Sequence, residues 1–246
     1  MLKSKRFLKA DNVIKNMGRV STGSSIIDEL IRGYETDVIT TFYGPSGSGK
    51  TNICLISAIS IAKRKKVMFI DTEGGFSIER LKQLTPDYEN ILKNIFIFKP
   101  TSFSQQGRAI EKLKKIATND VGIIIIDTIS FLYRLELGDK EVHSTNRAMG
   151  RQVATLAEIA RRKNIPIVIT NQVYSDFDDR DKIRIVGGDL LKYGSKCLVE
   201  LQKTPDNKRR AVVKKHRSIA EEKSVVFSIV QEGLKKAKEG KGFKIF

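Results

Sequence analysis

The chain has 246 residues, a formal net charge of +17 and a hydrophobic content of 40%, which suits a globular protein of one large or two small domains. Its two cysteines, Cys54 and Cys197, are too few and too far apart for a disulfide framework or a zinc-binding spacing. No apolar run approaches the ~20 residues that span a bilayer, and no secretory signal is recognised, so a protein of the reducing cytoplasm is expected.

Short β-branched runs alternate with helical patterns between residues 37 and 170. The predicted strands are Val38–Tyr43, Val67–Asp71, Ile95–Phe98, Val121–Asp127 and Ile165–Thr170. The predicted helices are Lys50–Arg64, Ile78–Leu84, Ser104–Ala117 and Asn146–Lys163. Such alternation indicates an α/β fold, a twisted and mostly parallel sheet flanked by helices. The apolar run GIIIID indicates a central strand buried on both faces.

After Thr170 the pattern changes to strands joined by short polar turns. Predicted strands at Cys197–Leu201, Arg210–Lys214 and Val225–Val230 indicate an antiparallel carboxyl-terminal extension of the same sheet. We therefore expect an arm or linker at 1–20, a core domain at 21–232 and a basic, loosely ordered tail at 233–246.

The octet GPSGSGKT, residues 44–51, fits the phosphate-binding pattern G-x-x-x-x-G-K-[ST]. It lies between a predicted strand and a predicted helix, where backbone N–H groups and the helix dipole can face one phosphate. Lys50 is expected to reach the β- and γ-phosphates of ATP, and the Thr51 hydroxyl to bind Mg²⁺. The alternative is a chance glycine turn. The predicted nucleotide-binding residues here are Gly44, Pro45, Ser46, Gly47, Ser48, Gly49, Lys50, Thr51 and Asn52.

Two acids at predicted strand ends complete the expected site. Asp127 closes GIIIID and fits the Walker B role of holding Mg²⁺ through water; the alternative is a solvated turn aspartate. Glu73, two residues after VMFID, is the candidate base that orients the attacking water. Asp71 is its rival, with the alternative of being a buried, hydrogen-bonded acid.

Several stretches together resemble the RecA/RadA recombinase superfamily. GRVSTGSSIIDELIRGYETDVITTFYGPSGSGKT is similar to the opening of its ATPase core, and VMFIDTEGGFSIERL to the segment with its catalytic glutamate. VGIIIIDTISFLYRLEL and IARRKNIPIVITNQVY continue the similarity, which covers roughly residues 17–230. The resemblance implies a RecA-type fold with ATP at the strand ends and DNA bound by two mobile loops.

Within the superfamily the chain is most similar to the archaeal RadB branch of short RadA paralogues. The segments GPSGSGKTNIC, DTEGG, LYRLE, ARRKNIP, NQVY and KKHRS carry this similarity. The resemblance assigns Lys50, Thr51, Asp127 and Glu73 the roles given above. It adds Arg80 as a platform for adenine, and Gln172 as a switch at the γ-phosphate that couples the ATP state to DNA. The alternative for Gln172 is a capped strand end.

One motif departs from RadB. Phe7 and Ala10 fit the F-x-x-A pattern by which RadA subunits dock onto neighbours, adding an edge strand to the next sheet. The alternative is an amphipathic turn that packs Phe7 on its own domain.

The two expected DNA-facing loops differ in character. The first spans Ser130 to about His143, where Tyr133 is expected to stack on a base and Arg134 to contact a phosphate. The second, Tyr174 to Gly188, carries four aspartates beside its three cations, a poor composition for a phosphate clamp. Its basic candidates for DNA binding are Arg180, Lys182 and Arg184.

The expected function is that of an ATP- and Mg²⁺-binding, nucleoid-associated protein of homologous recombination and repair that binds DNA, with a preference for single-stranded over double-stranded DNA. The absence of a helix–hairpin–helix domain and the acidic second loop favour a RadB-like mediator, a weak DNA-dependent ATPase assisting a full-length RadA-type recombinase. The F-x-x-A pattern, Glu73 and Gln172 favour the alternative, a minimal recombinase that self-associates into filaments or rings. A KaiC-like signalling ATPase without DNA is a more distant alternative. The net charge itself favours a nucleic-acid partner.

Overall fold

A computed structural model describes residues 18–137, 142–175 and 183–238. The strands of this part are β1 (Arg19–Val20), β2 (Tyr34–Glu35), β3 (Ile39–Tyr43), β4 (Lys66–Asp71), β5 (Ile95–Phe98), β6 (Val121–Asp127), β7 (Ile167–Asn171), β8 (Val173–Ser175), β9 (Ile183–Ile185), β10 (Cys197–Lys203), β11 (Arg209–Lys215), β12 (Ser224–Val230) and β13 (Gly233–Lys236). Its helices are Ser25–Ile31, Lys50–Ala62, Ile78–Leu84, Tyr88–Leu92, Phe103–Ile116, Phe131–Leu137, Val142–Lys163 and Gly188–Gly194.

A nine-stranded sheet with the order β13-β12-β11-β10-β3-β7-β6-β4-β5 forms the centre of the molecule. The six strands from β10 to β5 are parallel, and β11, β12 and β13 continue the sheet in antiparallel fashion. This confirms the predicted α/β fold, with its mostly parallel sheet and its antiparallel extension.

Strand β6 shows why the sheet needs helices on both faces. All seven of its residues are buried. Ile123 and Ile125 belong to the core on one face, under the helix Lys50–Ala62, and Ile124 and Ile126 to the core on the other, under Val142–Lys163. A strand with two apolar faces cannot leave either in water, because each buried side chain of this size contributes about 1.5–3 kcal/mol by leaving water.

Three local predictions were wrong. The expected first loop contains the helix Phe131–Leu137, and the helix after it starts at Val142 rather than Asn146. Strand β13 lies in the expected tail, yet it pairs with β12 at the sheet edge. The helix Ser25–Ile31 was not predicted; the Asp28 carboxylate accepts hydrogen bonds from the Thr22 N–H and the Ser21 hydroxyl, which fixes the chain ahead of it.

The topology places the predicted acids together at one edge. Parallel register pairs Asp71 with Asp127 and Tyr43 with Asn171, so four strands end side by side. In open α/β sheets, ligands bind at the carboxyl ends of the strands. None of the described helices is long and apolar enough to cross a membrane.

Candidate functional site

The segment 44–49 forms a tight loop between β3 and the helix Lys50–Ala62. At Gly44 a Cβ atom would lie 2.2 Å from the carbonyl oxygen of Leu201 in β10, so only glycine fits against that strand. Gly47 has a φ of 71°, in the left-handed region that favours glycine. The close packing of β10 and this backbone turn explain the glycines, and the loop leads directly into the first turn of a thirteen-residue helix.

The Lys50 side chain folds back into this loop. It is 8% exposed, and its Nζ donates to the carbonyl oxygens of Gly44 at 2.8 Å and Pro45 at 2.9 Å. Burial lowers the pKa of this ammonium, and the negative charges of Asp127 and Glu73 oppose that shift. The Ser48 hydroxyl is also buried, and no described residue is its hydrogen-bond partner. A desolvated ammonium, an unpartnered hydroxyl and a helix amino terminus together suit a phosphate group.

Thr51, Asp127 and Thr170 form a hydrogen-bonded cluster below the loop. The Thr51 hydroxyl donates to Asp127 Oδ2 at 2.7 Å, and the Thr170 hydroxyl donates to Asp127 Oδ1. Burial raises the pKa of the Asp127 carboxyl against these two hydrogen bonds, and the carboxylates of Glu73 and Asp71 raise it further. A carboxylate and a hydroxyl oxygen in a pocket of negative charge are ligands suited to a hard divalent cation such as Mg²⁺.

Asp71 has a different environment from Asp127. It is 2% exposed, and its two carboxylate oxygens accept the backbone N–H groups of Gly75 at 3.0 Å and Phe76 at 3.2 Å. Both oxygens therefore hold the turn that follows β4. This geometry favours the alternative that Asp71 is a buried structural acid.

Glu73 projects from that turn into solvent and meets two polar side chains. Its Oε1 accepts from the Thr128 hydroxyl at 2.9 Å and from Gln172 Nε2 at 2.7 Å. Gln172 Oε1 in turn accepts from Arg134 Nη1 at 2.7 Å. The structure thus brings together Glu73, Gln172 and Arg134, which are 38 to 99 positions apart in the chain.

Arg80 lies at the outer end of the site. Its guanidinium donates to Asn52 Oδ1 at 2.8 Å, to the carbonyl oxygens of Val230 and Gln231 at 2.8 and 2.9 Å, and to Gln83 Oε1. Burial lowers the pKa of Arg80. These in-plane hydrogen bonds fix the guanidinium beside Asn52 without occupying its flat faces, which is what a stacking platform needs.

Two cations at the loop escaped the sequence-based prediction. Arg209 Nε donates to the carbonyl oxygen of Gly47 at 2.8 Å, and Lys203 Nζ lies 3.3 Å from the position a Gly47 Cβ would take. Lys203 is the last residue of β10 and Arg209 is the first residue of β11. No local motif marks them, because their position follows only from the pairing of β10 with β3.

The DNA-facing predictions fare unevenly. The prediction for Tyr133 was wrong: it is 4% exposed, its ring packs edge-on against Phe103 and its hydroxyl donates to Asn146. A helix rather than a loop turns this side chain into the core, whereas Arg134 remains exposed. Arg184 lies opposite Tyr174 in the antiparallel backbone register of β9 and β8. Arg180 and Lys182, and the docking residues Phe7 and Ala10, lie outside the described residues.

Comparison with known proteins gives a consistent family. The family model described as Rad51 matches residues 13–237. The chain is 41% identical to the DNA repair and recombination protein RadB of Methanobrevibacter smithii, over 88% of this chain and 95% of that relative. It is 45% identical to the RadB protein of Methanococcus maripaludis, over 85% of this chain and 96% of that relative.

A solved structure described as the RadB recombinase matches the fold. Its TM-score is 0.76 at 32% sequence identity, and the match covers 89% of this chain and 99% of the solved one. The chain belongs to the Rad51 family and, within it, to the RadB group.

Proposed function

We propose that this chain is an ATP- and Mg²⁺-binding, DNA-binding accessory protein of homologous recombination and repair, with a weak DNA-dependent ATPase activity. The buried Lys50 ammonium inside the 44–49 loop, directly above the Thr51–Asp127 pair, is the observation that carries the proposal. When bound, Mg²⁺–ATP supplies the phosphoanhydride bond and the charge that its hydrolysis redistributes.

The residues of the chain divide the work among them. The loop amides and Lys50 hold the β- and γ-phosphates, and Lys50 exchanges its bonds to backbone carbonyls for bonds to phosphate oxygens. Thr51 and Asp127 would hold the Mg²⁺ ion, which would neutralise negative charge on the phosphates. Glu73 orients and deprotonates the attacking water, and Arg80 fixes the adenine.

The accessory role is favoured over the recombinase role by the DNA-facing edge. Tyr133 is buried and does not offer its ring to a base, and the second loop carries four aspartates. Stacking contributes about 1–3 kcal/mol per base, so its loss weakens a single-strand site substantially.

Strand-exchange assays separate the roles. Together with a full-length RadA-type recombinase, the protein should raise the rate of exchange, and alone it should give none. Exchange by this chain alone would support the minimal recombinase. A gel shift with single-stranded DNA that weakens steeply with salt is also expected, and its absence would favour the KaiC-like alternative.

Asp127→Asn should change the pH dependence of stability. Because the folded protein raises the pKa of Asp127 above its ordinary 3.8, the folded state holds this proton more tightly than the unfolded chain does. The free energy of unfolding should therefore fall as the pH rises from the pKa of this carboxyl in the unfolded chain to its raised pKa in the folded protein. In metal-free buffer, Asp127→Asn should lack this fall and be the more stable protein at neutral pH. It should also bind nucleotide with less dependence on Mg²⁺.

Urea unfolding of both proteins at several pH values between about 4 and 8 measures the first effect. Parallel profiles would contradict the raised pKa. Unchanged Mg²⁺ dependence would contradict the metal role.

The open edge of the sheet supports self-association or partner docking. Strand β5 is the last strand of the sheet, and its Phe96 and Ile97 are 43% and 36% exposed. Apolar side chains on an edge strand suit the addition of a strand from another chain. This is the kind of contact that the segment around Phe7 and Ala10 would make.

Phe96→Glu should then reduce the self-association of the protein in the presence of ATP, because a charge replaces an apolar contact at that edge. Sedimentation velocity with and without ATP measures it. Ile78→Glu, which changes an equally exposed apolar residue on a helix, is the control and should behave as the parent. If Phe96→Glu sediments as the parent in both conditions, the edge is not the docking surface.

A further inference from the structure

A continuous line of hydrogen bonds joins the candidate catalytic acid to the DNA-facing helix. It runs from the Thr128 hydroxyl to Glu73, from Glu73 to the Gln172 amide, and from the Gln172 carbonyl to the Arg134 guanidinium, with distances of 2.7–2.9 Å. Four separate parts of the fold contribute: the segments that follow β4, β6 and β7, and the helix Phe131–Leu137.

The arrangement fixes which way the Gln172 amide points. An amide has one carbonyl oxygen and one NH₂ group, so a donor on the oxygen turns the NH₂ to the other side. Arg134 supplies that donor, and the NH₂ then faces Glu73 Oε1. Among the described residues, Arg134 has the only side chain that donates to Gln172, and the Arg134 side chain makes no other hydrogen bond to them.

Glu73 is restrained by the contacts that result. The same carboxylate oxygen accepts two hydrogen bonds, from Thr128 and from Gln172. The two hydrogen bonds occupy both acceptor positions of this oxygen and fix the direction of the carboxylate. This arrangement therefore keeps Glu73 Oε1 from accepting a hydrogen bond from the attacking water.

We propose that Arg134 is a positioning residue that holds the Gln172 amide against Glu73, an arrangement that we call the latch. A DNA phosphate releases the latch when it replaces Gln172 as the hydrogen-bond acceptor of the Arg134 guanidinium. The inference rests on the proposed role of Glu73 and adds the means by which DNA reaches it. Arg134 is exposed, so a phosphodiester can approach it without rearranging the core. A phosphate carries a negative charge and accepts two parallel hydrogen bonds from a guanidinium, whereas the neutral Gln172 amide oxygen accepts one from Arg134, so the phosphate is the stronger partner.

The Arg134→Ala variant separates a latch from a plain DNA contact. If Arg134 holds the latch, the variant should hydrolyse ATP faster than the parent without DNA, by about fivefold, the factor that corresponds to one ordinary hydrogen bond. Its further stimulation by saturating oligo(dT) should be lost. If Arg134 only binds DNA, the rate without DNA stays at the parent's value and full stimulation returns at saturating DNA, which would overturn the proposal.

A second readout does not need nucleotide. In the nucleotide-free parent, saturating oligo(dT) should shift the side-chain NH₂ resonance of Gln172 in a ¹⁵N NMR spectrum, because its contact with Glu73 is broken. Arg134→Ala should show that shifted resonance without DNA. An unmoved resonance in the DNA-saturated parent would overturn the latch even if neither protein hydrolyses ATP, an outcome that would count separately against the proposed ATPase activity.

Arg147→Ala is the matched control. Arg147 is an exposed arginine on the neighbouring helix Val142–Lys163, and no described residue forms a hydrogen bond or ion pair with it. Its loss removes the same charge without touching Gln172. Arg147→Ala should leave both the rate of ATP hydrolysis without DNA and the Gln172 resonance as in the parent. If it raises that rate as much as Arg134→Ala does, the effect comes from charge alone and the latch is contradicted.

Discussion

Lys50→Ala should weaken ATP binding by at least about 100-fold, or roughly 2.7 kcal/mol. The side chain is buried in the loop, where two backbone carbonyls are the hydrogen-bond partners of its ammonium among the described residues. The alanine variant removes the buried positive charge inside the loop, and the loop amides must hold the triphosphate without it. Titration with a fluorescent ATP analogue, in the presence of Mg²⁺, measures the dissociation constant.

Lys63→Ala is the control for this change. Lys63 follows the last turn of the same helix and is exposed. Lys63→Ala lowers the net charge by the same amount but leaves the loop intact. The affinity of this variant for the ATP analogue should therefore stay within about twofold of that of the parent. Equal affinities of Lys50→Ala and the parent would remove the phosphate loop from the account.

Glu73→Gln should slow ATP hydrolysis by about 100-fold or more while nucleotide affinity stays close to that of the parent. The substitution keeps the shape and the hydrogen-bonding reach of the side chain but removes its capacity to accept a proton. Since the role concerns the chemical step, the loss should appear in kcat and not in binding. Single-turnover hydrolysis and the fluorescent titration, run on the same preparation, separate the two quantities.

Asp71→Asn provides the contrasting variant. Its carboxylate accepts two backbone amides, so its replacement should lower the stability of the turn by about 1–3 kcal/mol and leave hydrolysis in the folded fraction largely intact. If Asp71→Asn abolishes hydrolysis and Glu73→Gln does not, the base is Asp71.

Features of short range were predictable from the sequence. The β6 strand, the helix Ile78–Leu84 and the phosphate loop each depend on neighbouring residues, on apolar runs, on capping by Ser77 and on glycines at a turn. The proximity of the acids Asp71 and Asp127 could also be predicted from the sequence, because parallel strands end at the same edge of a sheet. These signals are local, and the fold satisfies them without conflict.

Features that depend on strand order were not predictable in the same way. Lys203 and Arg209 reach the loop only because β10 pairs with β3, and that pairing leaves no mark near either residue. Tyr133 has an aromatic ring of the kind that stacks on bases, but its position on a helix buries that ring against Phe103. The contact of Arg134 with Gln172 likewise requires two distant elements to meet.

Hydrogen exchange at the loop amides tests the central claim most directly. The amides of residues 46–51 should exchange more slowly when ATP and Mg²⁺ are added, and Lys50→Ala should show no such protection at the same nucleotide concentration. Saturable ATP binding by the parent with unchanged exchange at these amides, and protection elsewhere in the chain, would contradict the account.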